Sequence, residues 1–270
     1  MNRKYLYPLL LILVVAALFY AEKYVDKKVE EYPNPVISDH PESDFDDRFL
    51  PNSTTGKIIR HTYFTLSYSE KHEQAEWVAY ELRDEHLAKT DFERPYFVQD
   101  RKISSGSADW RNYKNSGYDR GHLCPAGDRR FDYDAYHETF LTSNISPQNH
   151  EFNAGIWNRL EQKVRYWTSS REALYVITGG VLENGLKTIG DEDVSVPKEF
   201  FKIIVDRTGD DFIAIAFLIP NEGTSASFYD YAVSIDEVEK RTGLDFMRAL
   251  DNGLEDPIES QVDLQAWGKE

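Results

Sequence analysis

The hydrophobic and polar positions divide the chain into four regions. An apolar run at residues 5–20 is interrupted only by Pro8, and residues 22–55 form an acidic connector that contains four prolines. Residues 56–250 alternate between short apolar runs and polar turns, which is typical of a folded domain. Residues 251–270 are an acidic tail for which the pattern predicts no definite order. We therefore expect one domain of residues 56–250 on a polar stalk.

The apolar run predicts a membrane-directed segment over residues 1–21. Arg3 and Lys4 precede it, as in a secretion signal. Its 16 residues are long for a signal core and short for a spanning helix, which needs roughly 20 residues. No small-x-small cleavage site follows, so an uncleaved signal anchor is favoured over a cleaved signal peptide. The charged flanks and terminal position disfavour a buried helix of the domain.

The first half of the domain predicts one strand followed by one helix. Residues 59–68 alternate and are rich in aromatic and β-branched side chains, which is typical of a strand. Residues 74–88 have a helical spacing of apolar positions. Those positions are Trp77, Val78, Leu82 and Leu87.

The second half predicts three further strands and a helix. Residues 174–181 form a short apolar run typical of a buried strand, and 200–205 and 212–219 predict a hairpin that turns around 208–210. Ser234 and Glu237 have capping-box spacing and predict a short helix. These elements predict an α+β fold with a mixed or antiparallel central sheet flanked by helices.

Composition adds charge and redox limits. The 270-residue chain has a formal net charge of -16, which argues against nonspecific binding of a polyanion by the whole surface. Residues 92–130 nevertheless hold eight basic and five acidic side chains, so a local basic cleft is compatible with the charge. Cys124 is the single cysteine, which excludes an intramolecular disulfide. We expect it to be a buried, inert thiol rather than a metal ligand.

One short motif combines residues suited to phosphate chemistry. It is Asp119-Arg120-Gly121-His122. A histidine can take a proton from water near neutral pH, an arginine offers a planar fork to phosphate oxygens, and a glycine between them allows a tight turn. Any single histidine is more often an ordinary polar residue, so the motif needs further context.

The context comes from residues 144–161. Pro147 is expected to break the structure, with a helix starting shortly after it. Asn153 and Glu161 then lie near one stripe of that helix, about 12 Å apart along the axis. The apolar positions Trp157 and Leu160 of the same stripe would anchor the helix in the core. An amide oxygen and several waters suit Mg²⁺.

These two segments resemble the DNA/RNA non-specific endonuclease family, whose metal site lies in a ββα-metal (His-Me finger) motif. The resemblance rests on the Asp-Arg-Gly-His run and on the helix motif Asn-x-Gly-x-Trp-x-x-Leu-Glu, which residues 153–161 match completely. Asn-Ile-Ser-Pro-Gln at 144–148 and the series Arg94, Phe97, Asp100 also match the family. Cys124 stands where the family often has a small residue.

The resemblance implies a role for each matching side chain. His122 resembles the general base that deprotonates the attacking water, and Asn153 resembles the sole protein ligand of the metal. Glu161 resembles the residue that holds a water of that metal, and Asn144 resembles a supporting residue that orients the site. Arg120 and Arg94 resemble the arginines that contact phosphate. The Arg94 assignment has looser spacing, and Arg101 or Arg111 could take its place.

The implied activity is Mg²⁺-dependent hydrolysis of phosphodiester bonds in both DNA and RNA, with 5′-phosphate products and Mn²⁺ as an alternative ion. Because such an enzyme would endanger its own cell, we expect the domain outside the cytoplasm, in the periplasm or at the cell surface. Homodimers occur in the family, although the sequence predicts no interface. Two alternatives stay open, namely a non-catalytic nucleic-acid-binding module and a membrane-tethered phosphodiesterase with another substrate.

Overall fold

A seven-stranded antiparallel sheet lies at the centre of the computed structural model, which describes residues 3–31, 45–88, 90–208 and 211–268. Within these residues the strands are β1 (Ile58–Arg60), β2 (Thr65–Ser69), β3 (Gln74–Arg83), β4 (Asp119–His122), β5 (Ile145–Gln148), β6 (Ala173–Gly180), β7 (Thr188–Ile189), β8 (Val194–Ser195), β9 (Glu199–Thr208), β10 (Asp211–Pro220) and β11 (Ala232–Val233). The α-helices are α1 (Arg3–Glu31), α2 (Tyr133–Glu138), α3 (His150–Phe152), α4 (Asn158–Thr168), α5 (Ile235–Thr242) and α6 (Asn252–Ser260).

The strand order of the large sheet is β1-β2-β3-β6-β9-β10-β11, and every neighbouring pair is antiparallel. Strands β4 and β5 pair with each other outside this sheet, as do β7 and β8. Helices pack on both faces of the large sheet. The predicted α+β class is confirmed, with antiparallel pairing in the central sheet.

Each face of the sheet has its own hydrophobic core. One core contains Trp157, Leu160 and Val164 of the helix that follows β5, together with Trp267. The other contains Ile235 and Val238 of α5 with Phe246 and Met247. A third, smaller cluster around Phe97 and Phe140 supports the β4–β5 pair. The candidate site therefore lies next to the first core, whereas α5 and α6 lie on the opposite face.

The predicted helix at 74–88 is wrong, because Gln74–Arg83 is strand β3. This strand lies between β2 and β6 and is buried on both faces. Trp77 and Ala79 point into one core, whereas Val78 and Tyr80 point into the other. A strand that is apolar on both faces loses the alternation by which strands are recognised, and its apolar positions then coincide with helical spacing.

The single strand predicted at 59–68 is instead two antiparallel strands, β1 and β2. The backbone N–H of His61 donates to the carbonyl of Phe64 at 2.9 Å and closes a turn between them. The His61 side chain is 3% exposed and is bound to Asp100, so it belongs to this buried turn rather than to a strand. Alternation of residue types does not distinguish one strand from two short ones with a tight turn.

The other predicted elements are confirmed. Strand β6 covers the apolar run at 174–181 apart from Val181, and β9 and β10 form the hairpin in continuous register. The turn residues 209–210 lie outside the described part of the chain. Helix α5 begins after Ser234, whose side chain accepts a hydrogen bond from the backbone N–H of Glu237.

Packing extends beyond residues 56–250 in both directions. Phe45 and Phe49, which lie in the region assigned to the stalk, are buried in the second core. Trp267 is completely buried in the first core, and α6 forms within the region expected to be an acidic tail. The segments that flank the predicted domain therefore contribute to its folding.

The N-terminal helix α1 continues well past the apolar run. Its span Leu6–Tyr24 is 19 residues long with a mean hydropathy of 1.8, which suits a membrane crossing by length and composition. None of this span is buried against the rest of the protein. The helix is thus longer than the 16-residue run indicated, and it is not a core helix of the domain.

Candidate active site

Strands β4 and β5 and the helix that follows them form a ββα unit. Asp119 pairs with Gln148 and His122 pairs with Ile145, so the motif residues of β4 lie directly beside β5. The helix begins at His150, where the Asn149 side chain caps the first turn by accepting from the backbone N–H groups of Glu151 and Phe152. The predicted helix start shortly after Pro147 is confirmed.

Gly121 has a different role from the tight turn expected for it. It lies within β4, paired with Ser146, and its backbone conformation is not of the left-handed type. A β-carbon at this position would lie 2.1 Å from the Gln148 side chain. Glycine is therefore favoured because the Gln148 side chain occupies the space of a β-carbon, not because the chain turns.

The helix that carries the second motif is kinked at its start. Residues Asn153–Trp157 form a π-helical segment between α3 and α4, and Gly155 has non-helical angles (φ -100°, ψ -107°). In a regular α-helix, positions eight apart differ by about 80° around the axis. A π turn absorbs one extra residue, so the offset between Asn153 and Glu161 falls to about 20°. The kink thus brings these two side chains close to one face.

His122 occupies an aromatic pocket at the end of β4. Its ring centroid lies 5.5 Å from that of Phe97 and 5.0 Å from that of Phe140. Its Nε2 atom is buried and has no hydrogen-bond partner within the described residues. Burial, with additional effects of Arg94 and Arg120, lowers the pKa of His122 to about 3. The imidazole is therefore neutral, with Nε2 free of a protein partner within the described residues.

Arg94 and Arg120 both contact the aromatic group formed by Phe97 and Phe140. The Arg120 guanidinium is 4.7 Å from the Phe97 ring centroid, and that of Arg94 is 5.6 Å from the Phe140 ring. Burial and the charge of Arg94 lower the pKa of Arg120, which agrees with two cations close together. As whole residues, both arginines remain accessible to solvent. The pair forms a cationic surface next to His122 that suits a phosphate.

The other basic residues of 92–130 are distributed differently. Arg111 lies 5.0 Å from the Trp110 ring and pairs with Asp109. Arg129 is buried and donates hydrogen bonds to the backbone carbonyls of Tyr63 and Glu81. Part of the positive charge predicted for a cleft is therefore used in internal hydrogen bonds and ion pairs. Of the three arginines considered for the loosely assigned role, Arg94 lies near His122.

Asn153 is oriented by Asp119. Its Nδ2 donates to Oδ2 of Asp119 at 2.9 Å, and the same oxygen binds Nδ1 of His150 at 2.9 Å. Because the amide nitrogen is engaged, the Oδ1 atom is fixed in position, and no donor of the described residues binds it. Asp119 is in the same short strand as His122, so one strand positions both the candidate base and the candidate ligand.

Glu161 is close enough to a buried lysine for the two charges to interact. Burial raises the pKa of the Glu161 carboxyl to about 7, against the opposing effect of the Lys202 charge. Lys202 is fully buried, its Nζ has no hydrogen-bond partner within the described residues, and it lies 4.7 Å from the Trp157 ring centroid. Burial also lowers the pKa of Lys202. Asp128, which is paired with Arg165 at 2.6 Å, completes this group of charges.

Asn144 supports the loop that follows His122. It is fully buried, accepts from the backbone N–H of Cys124 at 2.8 Å, and donates to the carbonyls of Cys124 and Thr139, each at 2.9 Å. Its contacts are with backbone groups, which suits a supporting role and not contact with a substrate. Cys124 itself is buried, and burial raises the pKa of its thiol to about 12.

These residues fit a hard divalent cation. The free donors are the amide oxygen of Asn153 and the carboxylate of Glu161, and oxygen donors of this kind are what Mg²⁺ prefers. The described residues place no thiol at this position, because Cys124 is buried in the core. Asn153 would hold the ion, with Glu161 binding its water shell.

Sequence reasoning did not assign roles to Asp119, the aromatic pocket or Lys202. Asp119 belongs to the motif identified in the sequence, but the sequence did not show that its side chain binds Asn153. Lys202 was visible as a single charge within the apolar run 200–205 of a predicted buried strand. Such an isolated charge is a useful signal, because buried cations are rare without a specific environment.

The sequence and the fold both match known nucleases. Residues 42–253 match the profile of the family described as DNA/RNA non-specific endonuclease. The chain is 36% identical over 219 residues to the protein named "Nuclease EXOG, mitochondrial" of Xenopus laevis, covering 75% of this chain and 60% of that protein. It is 33% identical over 223 residues to a nuclease of Nostoc sp., covering 76% of this chain and 78% of that protein.

A solved structure described as the EndoG/EndoGI complex superposes with a TM-score of 0.68 at 31% identity, covering 73% of this chain and 88% of that chain. The chain spans 60% of the length of the EXOG proteins of zebrafish and Xenopus laevis that it matches. The family match covers most of this chain, including the central antiparallel sheet and the ββα unit. This chain belongs to the DNA/RNA non-specific endonuclease family.

Proposed function

We propose that this protein is a metal-dependent nuclease that hydrolyses phosphodiester bonds of DNA and RNA. The observation that carries the proposal is that His122 is close to Arg94 and Arg120, with Asn153 fixed by Asp119 of the strand that carries His122. This arrangement combines a neutral base, two phosphate-binding cations and an oxygen donor for an ion. Such a combination serves hydrolysis better than binding alone.

In the proposed reaction, His122 accepts the proton of the attacking water. The same two arginines that depress its pKa would be neutralised by the substrate phosphate. Binding of an anion would therefore raise the pKa of His122 by removing the effect of the two arginines, while the larger effect of burial stays in place. The base would then become stronger when substrate is present.

Arg94 and Arg120 would bind the non-bridging oxygens and offset the charge that grows on phosphorus. The chemistry that a bound Mg²⁺, or Mn²⁺ in its place, supplies here is Lewis-acid stabilisation of charge on the phosphate and the leaving 3′ oxygen. Glu161 would orient water at that position. Water attack with loss of the 3′ oxygen gives 5′-phosphate ends.

Contacts of this kind fall on the sugar-phosphate backbone, so they carry no base sequence information. We therefore propose cleavage without sequence specificity. Helix α1 would hold the domain at a membrane, on its extracytoplasmic side, and a homodimer is a further prediction from the family resemblance.

The test is cleavage of circular DNA and of RNA by the full chain, with Mg²⁺ and with EDTA. His122→Ala should lower the cleavage rate by about 1,000-fold while the protein still unfolds in a single cooperative transition. His86→Ala is the matched control, since His86 stacks on Phe131 away from the site. Undiminished cleavage by His122→Ala would refute the assignment of the base.

The same assay separates the alternatives. A non-catalytic module would bind nucleic acid but leave it intact in the presence of Mg²⁺ or Mn²⁺. A phosphodiesterase with another substrate would cleave a small phosphodiester and leave DNA and RNA uncut.

A further inference from the structure

Three carboxylates converge on the face of the sheet opposite the candidate active site. Asp236 and Glu239 belong to α5, and Glu259 belongs to α6. One oxygen of each lies within 4.8 Å of the others. Among the carboxylate, imidazole and thiol side chains of the described residues, these three have a spacing suited to a metal ion.

The local structure explains why these side chains meet. Asp236 and Glu239 are three residues apart and therefore share one side of α5. Ile235 and Val238 of the same helix are buried in the second core, against which Ile258 of α6 also packs. The apolar contact of Ile258 carries its neighbour Glu259 to the junction of the two helices. Glu259 is only 7% exposed as a result.

The Glu259 carboxylate lacks the partners that a buried charge requires. Its Oε1 is buried and has no hydrogen-bond partner within the described residues. Glu239, Glu255, Asp236 and Asp245 lie close enough to add their negative charge to its surroundings. A buried carboxylate without a partner is costly, and four further acids around it increase that cost.

The basic side chains nearest in sequence are engaged elsewhere. Lys240 pairs with Glu237, and Arg241 pairs with Glu199. No ion pair of the described residues involves Asp236, Glu239 or Glu259. No lysine or arginine of the described residues is therefore paired with a carboxylate of this junction.

We propose that Asp236, Glu239 and Glu259 form a second cation site, which binds Ca²⁺ and fastens α6 to α5. Three carboxylates from two helices are the hard oxygen ligands that Ca²⁺ takes, with water completing its 6–8 positions. Mg²⁺ is usually held through one or two carboxylates and keeps several waters, so a set of three carboxylates favours Ca²⁺.

The site is tested with the full chain carrying Asn153→Ala, which removes the ligand proposed for the active-site metal. Ca²⁺ at about 100 times its dissociation constant should raise the unfolding midpoint of this protein by on the order of 5 °C. Calorimetric titration should detect one Ca²⁺ per chain. Adding Glu259→Gln should remove both signals, and Asp236→Asn should do the same.

Glu237→Gln is the matched control, because Glu237 is on α5 but is paired with Lys240 outside the cluster. It should retain the full response to Ca²⁺. An equal Ca²⁺ response with and without Glu259→Gln would overturn the site. The site would also be overturned if Ca²⁺ had no effect on the protein and Glu259→Gln raised its unfolding midpoint. That result would mean that the three acids share a proton instead of binding an ion. An equal response to Mg²⁺ would overturn the assignment to Ca²⁺.

Discussion

The amide nitrogen of Asn153 donates to Oδ2 of Asp119 at 2.9 Å, which joins the start of the kinked helix to strand β4. The bond determines which atom of the amide is left to bind an ion, since only Oδ1 remains free. Asp119 thus acts on the metal through Asn153 and is a positioning residue.

Asp119→Ala should raise the Mg²⁺ concentration needed for half-maximal cleavage by about 10–100-fold, because the Asn153 amide would lose its fixed orientation. The rate at saturating Mg²⁺ should fall much less. Mg²⁺ titrations of the initial rate measure both. His150→Ala is the control, because His150 binds the same carboxylate oxygen but is 76% exposed. An unchanged Mg²⁺ requirement in Asp119→Ala would contradict this role.

Asn144→Ala should destabilise the protein by about 3 kcal/mol, because it leaves buried backbone groups of Cys124 and Thr139 without partners. The loop that follows His122 should loosen and cleavage should slow. Urea unfolding gives the stability change, and Asn158→Ala, at a partly exposed position of α4, provides the comparison. Equal stabilities of the two variants would argue against the supporting role of Asn144.

Loss of the proton from His61 should lower the free energy of unfolding at alkaline pH. Burial alone would lower its pKa, but hydrogen bonds to Asp100 and Glu138 outweigh it and raise the pKa to about 9. A raised pKa gives stability that is complete below about pH 6.5 and is lost as the pH rises through about 9. The loss should be on the order of 2–3 kcal/mol.

Unfolding free energies of the parent and of His61→Asn, measured between about pH 6 and pH 10, test this dependence. The difference between the two proteins should shrink as the pH rises, since other titrating groups are common to both. A constant difference would mean that His61 is neutral in the folded protein.

Lys202→Met should preserve the fold, because Nζ of Lys202 makes no hydrogen bond within the described residues that the substitution would break. The pKa of Glu161 should rise further, because Lys202 now lowers it. Cleavage at pH 7 should therefore fall and recover at higher pH. The pH profile of the cleavage rate measures this, and Lys198→Met is the exposed control. A profile identical to that of the parent would show that Lys202 does not act on Glu161.

Removal of the C-terminal segment should weaken the whole domain. Trp267→Ala should cost about 3–5 kcal/mol, because the indole is buried in the first core and lies 4.4 Å from the guanidinium of Arg171. Thermal unfolding measures the loss. Val262→Ala, at a position 40% exposed, should have little effect. Equal midpoints for the two variants would indicate that the segment beyond α6 does not support the core.

The sequence alone determined the motif residues, the α+β class and the elements whose local pattern is unambiguous. Ser234 capped the expected helix, and the β9–β10 hairpin formed where its two apolar runs predicted it. These features depend on neighbours within a few positions of the chain, which a sequence displays directly. Tertiary structure decided the identity of β3, because burial on both faces erased the alternation that identifies a strand.

Only the tertiary structure decided how the candidate site is arranged. Asp119 and Asn153 are 34 positions apart, Lys202 is 41 positions beyond Glu161, and Trp267 reaches the core from the acidic C-terminal segment. Contacts over such separations follow from strand pairing and from a kink at Gly155 that regular helix geometry does not anticipate. The sequence therefore determined which chemical groups the protein carries. Packing determined which of them are neutral, buried and facing one another.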